Sequence, residues 1–298
     1  MANVIINDSN LTAIGNAIRA KNGTETLYKP REMAAAIEAI EVGGGGSGDS
    51  GNDPVRQSYI DLMSGKSLLT YTIPKETVMI PKYMFYTGTQ LREVVLENPN
   101  TQILTEIGAY AFASESNLAK FQWPKNLQKI GTSAFQSCFL FNPDEELPDS
   151  VTTIEGGVFN SCENVKLSRI PPKVTRIESS TFKYCYALQI TSLPEGVEYI
   201  GNSAFASSGY SSETRPMLTL PASLKQISNL AFSYNNFKKI RFLGTPDLNG
   251  ISSSAFSYSQ KLTDIYVPWV ASSVVANAPW GATNATIHYN TSPDEVIE

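Results

Sequence analysis

The chain has 298 residues, 42% of them hydrophobic, and its 23 Lys and Arg against 28 Asp and Glu give a formal net charge of −5. That balance supplies no basic footprint for nucleic acid or an anionic membrane. No apolar run approaches the ~20 residues of a membrane span, so neither nucleic-acid binding nor membrane insertion is expected, and the length suits one elongated core plus a small extra domain.

In chain order, the opening stretch MANVIINDSNLTAIG lacks a cationic n-region and an apolar h-region. It does not read as a secretory signal, and synthesis in the cytoplasm is expected. Asp8 or Ser9 can cap a helix carrying Leu11, Ile14 and Ile18 on one face, and Pro30 opens a second with Met33, Ile37 and Ile40. The spacing predicts a helical hairpin over residues 1–41. Its six large apolar groups are too few for an independent core, so they are expected to serve attachment or homo-oligomerisation. Residues 42–54, rich in Gly and Ser, read as a flexible linker, and residues 55–73 as the N-terminal cap of a repetitive region.

From residue 74 to 265 the chain repeats. An Ile is followed five residues later by a Phe at Ile80/Phe85, Ile107/Phe112, Ile130/Phe135, Ile154/Phe159, Ile177/Phe182, Ile200/Phe205, Ile227/Phe232 and Ile251/Phe256, and successive Ile lie 23 to 27 residues apart. This period belongs to leucine-rich repeats rather than to helical arrays. Segments such as LREVVL (91–96) and FKKIRF (237–242) read as short strands ending near a recurrent proline, at Pro74, Pro124, Pro148, Pro171, Pro194, Pro221 and Pro268. One unit cannot bury its own Ile, Phe and Leu, whereas stacked units can. The expected class is α+β: a solenoid of about eight repeats with short parallel strands on one face, preceded by the helical hairpin. Residues 266–298 form a C-terminal cap and tail in this reading, with Trp269 and Trp280 covering the last coil.

The pattern Pro-x-x-Val-x-x-Ile-x-x-x-Ala-Phe-x-x-Cys-x-x-Leu, clearest in ALQITSLPEGVEYIGNSAF (187–205), resembles the BspA-like class of bacterial leucine-rich repeats over about residues 70–268. That resemblance implies binding to surfaces. LTAIGNAIRAKNGTETLYKPREMAAAIEAI (11–40) resembles an N-terminal helical module of phage and prophage tail proteins of Gram-positive bacteria, and YVPWVASSVVANAPWGATNATIHYN (266–290) resembles the terminal segment of the same proteins. Together they imply a receptor-binding tail fibre placed in the virion and made in the host cytoplasm. Its partners would be other tail proteins and a bacterial surface polysaccharide or protein. A cellular BspA-like surface adhesin is the alternative.

Residues for catalysis are few. The single His288 lies in the C-terminal tail segment, so no Ser-His or Cys-His arrangement can be assembled within the repeats. The acidic run Asp144, Glu145, Glu146 and Asp149 reads as a solvated turn rather than a Ca²⁺ site. Cys138, Cys162 and Cys185 share one slot of consecutive repeats, a spacing too wide for a disulfide, and read as buried thiols acting as small hydrophobes; a Ser there would bury an unpaired hydroxyl. No enzyme activity, metal or cofactor is expected. Recognition residues are better represented. Tyr184, Tyr234 and Tyr258 stand two after Phe, and Tyr186 and Tyr210 lie close by. Tyrosine gives rigid amphipathic contact area. Lys120, Gln122, Arg169, Arg241, Asp264 and Tyr266 are expected to line the strand face, with ENPN (97–100) and SSGYSSETRP (207–216) projecting as loops.

Overall fold

A computed structural model describes residues 69–87, 90–210, 215–247, 249–271 and 276–292. Seven of the eight repeated Ile end a two-residue strand: β2 (Met79–Ile80), β4 (Glu106–Ile107), β6 (Lys129–Ile130), β7 (Thr153–Ile154), β8 (Arg176–Ile177), β9 (Tyr199–Ile200) and β11 (Gln226–Ile227). They pair in parallel with Ile opposite Ile in two sheets, β2-β4-β6-β7 and β8-β9-β11, and Ile251 bridges to Ile227.

The pre-proline segments form a second row. At one end stand β1 (Thr70–Ile73), β3 (Glu93–Leu96) and β5 (Lys120–Phe121); at the other, β10 (Arg215–Leu220), β12 (Phe237–Phe242), β13 (Asp264–Tyr266) and β14 (Thr286–His288). Strands on one face were expected, and there are two rows because the Ile segment is itself extended and laddered. Pro74 and Pro221 follow directly on β1 and β10, and Pro124, Pro148 and Pro171 accept the turn bonds from Leu127, Val151 and Val174 (3.0–3.1 Å) that lead into the next Ile strand.

The α+β class is corrected. The described residues contain no helix, and their regular elements are all parallel strands, so the fold is a β-solenoid of about nine turns. The expected hairpin, with Leu11, Ile14, Ile18, Met33, Ile37 and Ile40, lies outside the described residues, as do the linker and most of residues 55–73. The count exceeds eight because the ladder runs on past residue 266: β14 pairs with β13, and the Trp280 carbonyl accepts the Phe256 amide at 3.0 Å, the place held elsewhere by the residue before Phe. No Ile-to-Phe step marks this last coil.

Stacking coils in register superposes identical side chains. The Phe rings from Phe85 to Phe256 lie one on the next, with centroids 5.0–5.8 Å apart and planes within 1–17°. Such near-parallel contacts add to the burial of each ring. Two left-handed residues, two before and two after Phe, bend the chain around the ring, as with Ser180 (φ 57°) and Tyr184 (φ 59°) about Phe182.

The Cys slot has a role that composition did not reveal. The thiols of Cys138, Cys162 and Cys185 each donate, at 3.0 Å, to the carbonyl of the Phe one coil earlier, namely Phe112, Phe135 and Phe159. Asn235 does the same to Phe205 (3.3 Å) and Ser259 to Phe232 (2.8 Å). All three cysteines are free and buried, and burial pushes their thiols up, which keeps the donor proton in place. Glu115 occupies this slot too. Burial pushes it up from 4.5 to about 8 against an opposing hydrogen bond from the Leu91 backbone, and only a protonated carboxyl carries a donor.

Phe182→Ala should cost about 3–5 kcal/mol in urea unfolding; a loss below about 1 kcal/mol would remove the Phe stack as the spine of the fold. Because the slot requires a donor rather than an apolar group, Cys162→Ser should stay within about 1 kcal/mol of the parent, while Cys162→Ala loses the bond and about 1–2 kcal/mol. Folded Glu115 keeps its proton up to about 8 and unfolded Glu115 loses it near 4.5. Between those values the folded state holds the extra proton, so this residue's contribution to stability falls as pH rises through the window and is fully lost above it. Denaturation midpoints measured across the window should show that decline in the parent and lose it in Glu115→Gln.

Candidate recognition surface

The slot two residues after Phe is left-handed in every coil from Phe85 to Phe256. Thr87, Ser114, Ser137, Ser161 and Ser207 fill it at φ 55–64°, and Tyr184, Tyr234 and Tyr258 at φ 54–63°. A left-handed backbone is uphill for a residue with a Cβ, and the three tyrosines bury little in return, being 38%, 51% and 62% exposed. Small hydroxyl residues meet the local need in the other coils. The tyrosines therefore put ring area on the surface at positions where the fold does not require it.

These rings form two groups. Tyr234 and Tyr258 stack with centroids 4.7 Å apart, one rung over the next. Tyr184 and Tyr186 lie 6.3 Å apart, with the Lys183 ammonium 4.9 Å above the Tyr184 ring. Burial, then the charges of Glu163 and Tyr184, push the Tyr186 hydroxyl up, so it remains a donor. Tyr210, 59% exposed, belongs to the coil between the two groups, whose slot holds Ser207; Gly209 ties that stretch to the Cys185 carbonyl at 2.8 Å. The five tyrosines thus follow one edge across four coils.

Of the expected strand-face residues, Arg241 and Tyr266 come together as register partners on β12 and β13, with Asp264 also on β13; the others are engaged elsewhere. Lys120 forms an ion pair with Asp144, and Gln122 accepts the Leu96 amide at 2.9 Å. Arg169 reaches Asp149 (2.6 Å) and the Leu147 carbonyl (3.1 Å), and Arg241 donates to the Ser292 carbonyl (2.7 Å). These bonds tie coil to coil. The acidic run supplies much of this: besides Asp144 and Asp149, Glu146 accepts the Ser168 amide and hydroxyl at 2.9 and 2.6 Å.

His288 is the residue that sequence reasoning misplaced. It sits on β14 in register with Tyr266 and Arg241, stacks on the Tyr266 ring at 4.5 Å, and holds its Nε2 2.7 Å from Asp264 Oδ1. Burial raises Asp264, but hydrogen bonds from His288 and Thr263 outweigh it and hold the carboxyl below its ordinary value. The period-two spacing of Ala285–Tyr289 was the available signal. Among the described residues no three His, Cys, Asp or Glu come together as a metal set.

The family described as BspA type leucine rich repeat region matches in six copies, over residues 55–140, 105–216 and 210–278. The chain belongs to the BspA-type leucine-rich repeat family. No curated protein matches it. Among solved structures, this BspA-type chain is similar to a leucine-rich repeat protein from Bacteroides ovatus, at 16% identity over 74% of this chain and 60% of that one, with a TM-score of 0.48. It is also similar to a leucine-rich repeat protein of T. pallidum (24% identity, 48% and 77% of the two chains, TM-score 0.37). A third is a leucine rich cell surface protein from Faecalibacterium prausnitzii (19%, 77% and 83%, TM-score 0.35). The BspA-type chain spans 60% of the B. ovatus protein's length.

If the exposed tyrosines serve contact rather than folding, Tyr258→Ser should leave stability within about 1 kcal/mol of the parent by urea unfolding, the stacking with Tyr234 being all that is lost. A larger loss would make the ring a packing residue.

Proposed function

We propose that this BspA-type protein is a non-enzymatic interaction protein that docks a bacterial surface component, polysaccharide or protein, along its tyrosine edge. The observation that carries the reading is the placing of Tyr184, Tyr234 and Tyr258 at exposed left-handed positions. Rigid aromatic rings one rung apart suit an extended partner, because each ring adds contact area while losing little side-chain freedom.

The finer assignment is to a host-recognition fibre of a phage or prophage tail, carried in the virion. Its support is the resemblance of residues 11–40 and 266–290 to tail-protein segments, in the order module, linker, solenoid. Residues 1–54 would then join the protein to other tail proteins or to copies of itself. Several copies on one tail would raise apparent affinity by avidity, without new contacts.

The test is binding of the fluorescently labelled full chain to bacterial cells stripped either of surface polysaccharide or of surface protein. Tyr184→Ser/Tyr234→Ser/Tyr258→Ser should lose at least about tenfold in binding, as hot-spot aromatics do, with an unchanged melting temperature. Equal binding by the triple variant would reject the tyrosine edge. Antibody labelling of induced phage tails supports the virion assignment, and labelling confined to the surface of uninduced cells replaces it with a cellular adhesin.

A further inference from the structure

Among the described residues the Ile ladder is broken at one place. In neighbouring coils the amide after each Ile donates to the Ile carbonyl of the coil before: Gly108 to Ile80, Gly131 to Ile107, Glu155 to Ile130, Gly201 to Ile177, Ser228 to Ile200 and Ser252 to Ile227, all at 2.7–3.0 Å. The bond from Glu178 to Ile154 is missing from this series, and β7 and β8 belong to different sheets. The same two coils rejoin a few residues later, where Gly157 and Phe159 donate to Ser179 and Thr181 at 2.9 Å.

A side chain in this row does not by itself break the ladder, since Glu155, Ser228 and Ser252 keep the bond; the gap coincides with how its glutamate is paired. A Cβ on Gly131 or Gly201 would lie 2.6 or 2.5 Å from backbone of the preceding coil, so glycine allows the closest approach. Glu155 and Glu178 stand in this row in consecutive coils. Glu155 compensates by bridging: its Oε2 accepts the Thr132 amide (2.8 Å) and hydroxyl (2.7 Å), and Lys129 approaches its Oε1 at 3.3 Å. Glu178 instead pairs within its own coil, with Arg176 at 2.7 Å. The strands splay around it and leave an opening of about 430 Å³. That volume lies in the range of small-molecule sites.

The lining sets the ligand class. Thr153, Thr175 and Ser179 offer hydroxyls that both donate and accept, beside the Glu178 carboxylate and the Arg176 guanidinium, which lies 4.0 Å from the centroid of the Tyr199 ring. Arg176 is already paired with Glu178 and Lys129 with Glu155, which leaves no uncompensated cation in the lining to attract an anion. The Glu155 oxygens are engaged by Thr132 and Lys129, which leaves too few carboxylate ligands for a divalent cation. Closely spaced neutral groups that donate and accept at once would satisfy both the hydroxyls and the peptide groups freed by the break. We propose that this opening between the fourth and fifth coils is a saccharide site taking one or two neutral sugar rings. It is separate from the tyrosine edge and does not depend on that reading.

Saturation-transfer NMR and calorimetry on the full chain, with maltose, galactose and N-acetylglucosamine as probes, test it. At least one sugar should bind. Glu178→Gln should weaken it about tenfold, the effect of one charge-assisted hydrogen bond. Glu178→Gly, which restores the row and lets the ladder close, and Thr175→Trp, which fills the opening, should abolish it, while Tyr258→Ser binds as the parent does. Parent-like melting of either blocking variant ties the loss to the site. The proposal is overturned if none of the sugars binds at millimolar concentration, if inorganic phosphate or Ca²⁺ displaces the sugar, or if binding follows Tyr258→Ser and survives both blocking variants.

Discussion

Everything in this protein depends on the peptide ladder that holds each coil about 4.8 Å from the next. Once the amide after Ile has found the carbonyl of the preceding coil, every other residue is delivered onto its own counterpart one coil away. A side chain at a given slot then meets its own kind above and below. Ile over Ile and Phe over Phe satisfy this by stacking apolar groups, and the Cys slot satisfies it with one proton donor facing one carbonyl. Charged groups obey the same rule: Lys129 lies between Glu106 and Glu155, at 2.9 and 3.3 Å, one coil to either side.

The same register turns small local changes into surface features. A tyrosine replacing a serine after Phe adds a ring to an edge whose direction and spacing are already set. At Glu178, which pairs within its own coil, the sheet opens without disturbing the Phe stack, because the coils on either side remain joined at Ser179 and Thr181. Since contacts run only between neighbours, an opening between the fourth and fifth coils leaves the sheets on both sides intact.

The parts of this fold legible in the sequence are those written within one repeat. The Ile-to-Phe step and the recurrent proline gave the solenoid, and the slot after Phe gave the tyrosine edge. What escaped depends on groups one coil apart, which no single repeat displays. The Cys162 thiol meets the Phe135 carbonyl 27 residues away, so its identity as a donor, shared with Ser259 and Asn235, could not be read from a row of small residues. The acidic run is an exposed turn, as read, but its pairing with Lys120 and Arg169 could not be seen, since each partner lies more than a dozen residues off. The last coil was hidden for another reason. Trp280 takes the place before the repeat's Phe there, and no Ile-to-Phe step marks the coil, so a search on that step ended one turn early. The expected α+β class came from an apolar pattern outside the described residues, and the repeats themselves are wholly β.

The donor slot has a consequence for how such genes change. Cys, Ser and Asn all present one proton to the same carbonyl, so a coil carrying any of them is an acceptable neighbour for a coil carrying another. Slipped recombination between repeats could then add or remove a whole turn without creating a mismatched junction. Each such event would carry the tyrosines along the edge in steps of one rung, resetting the distances between rings while leaving the interior chemistry untouched.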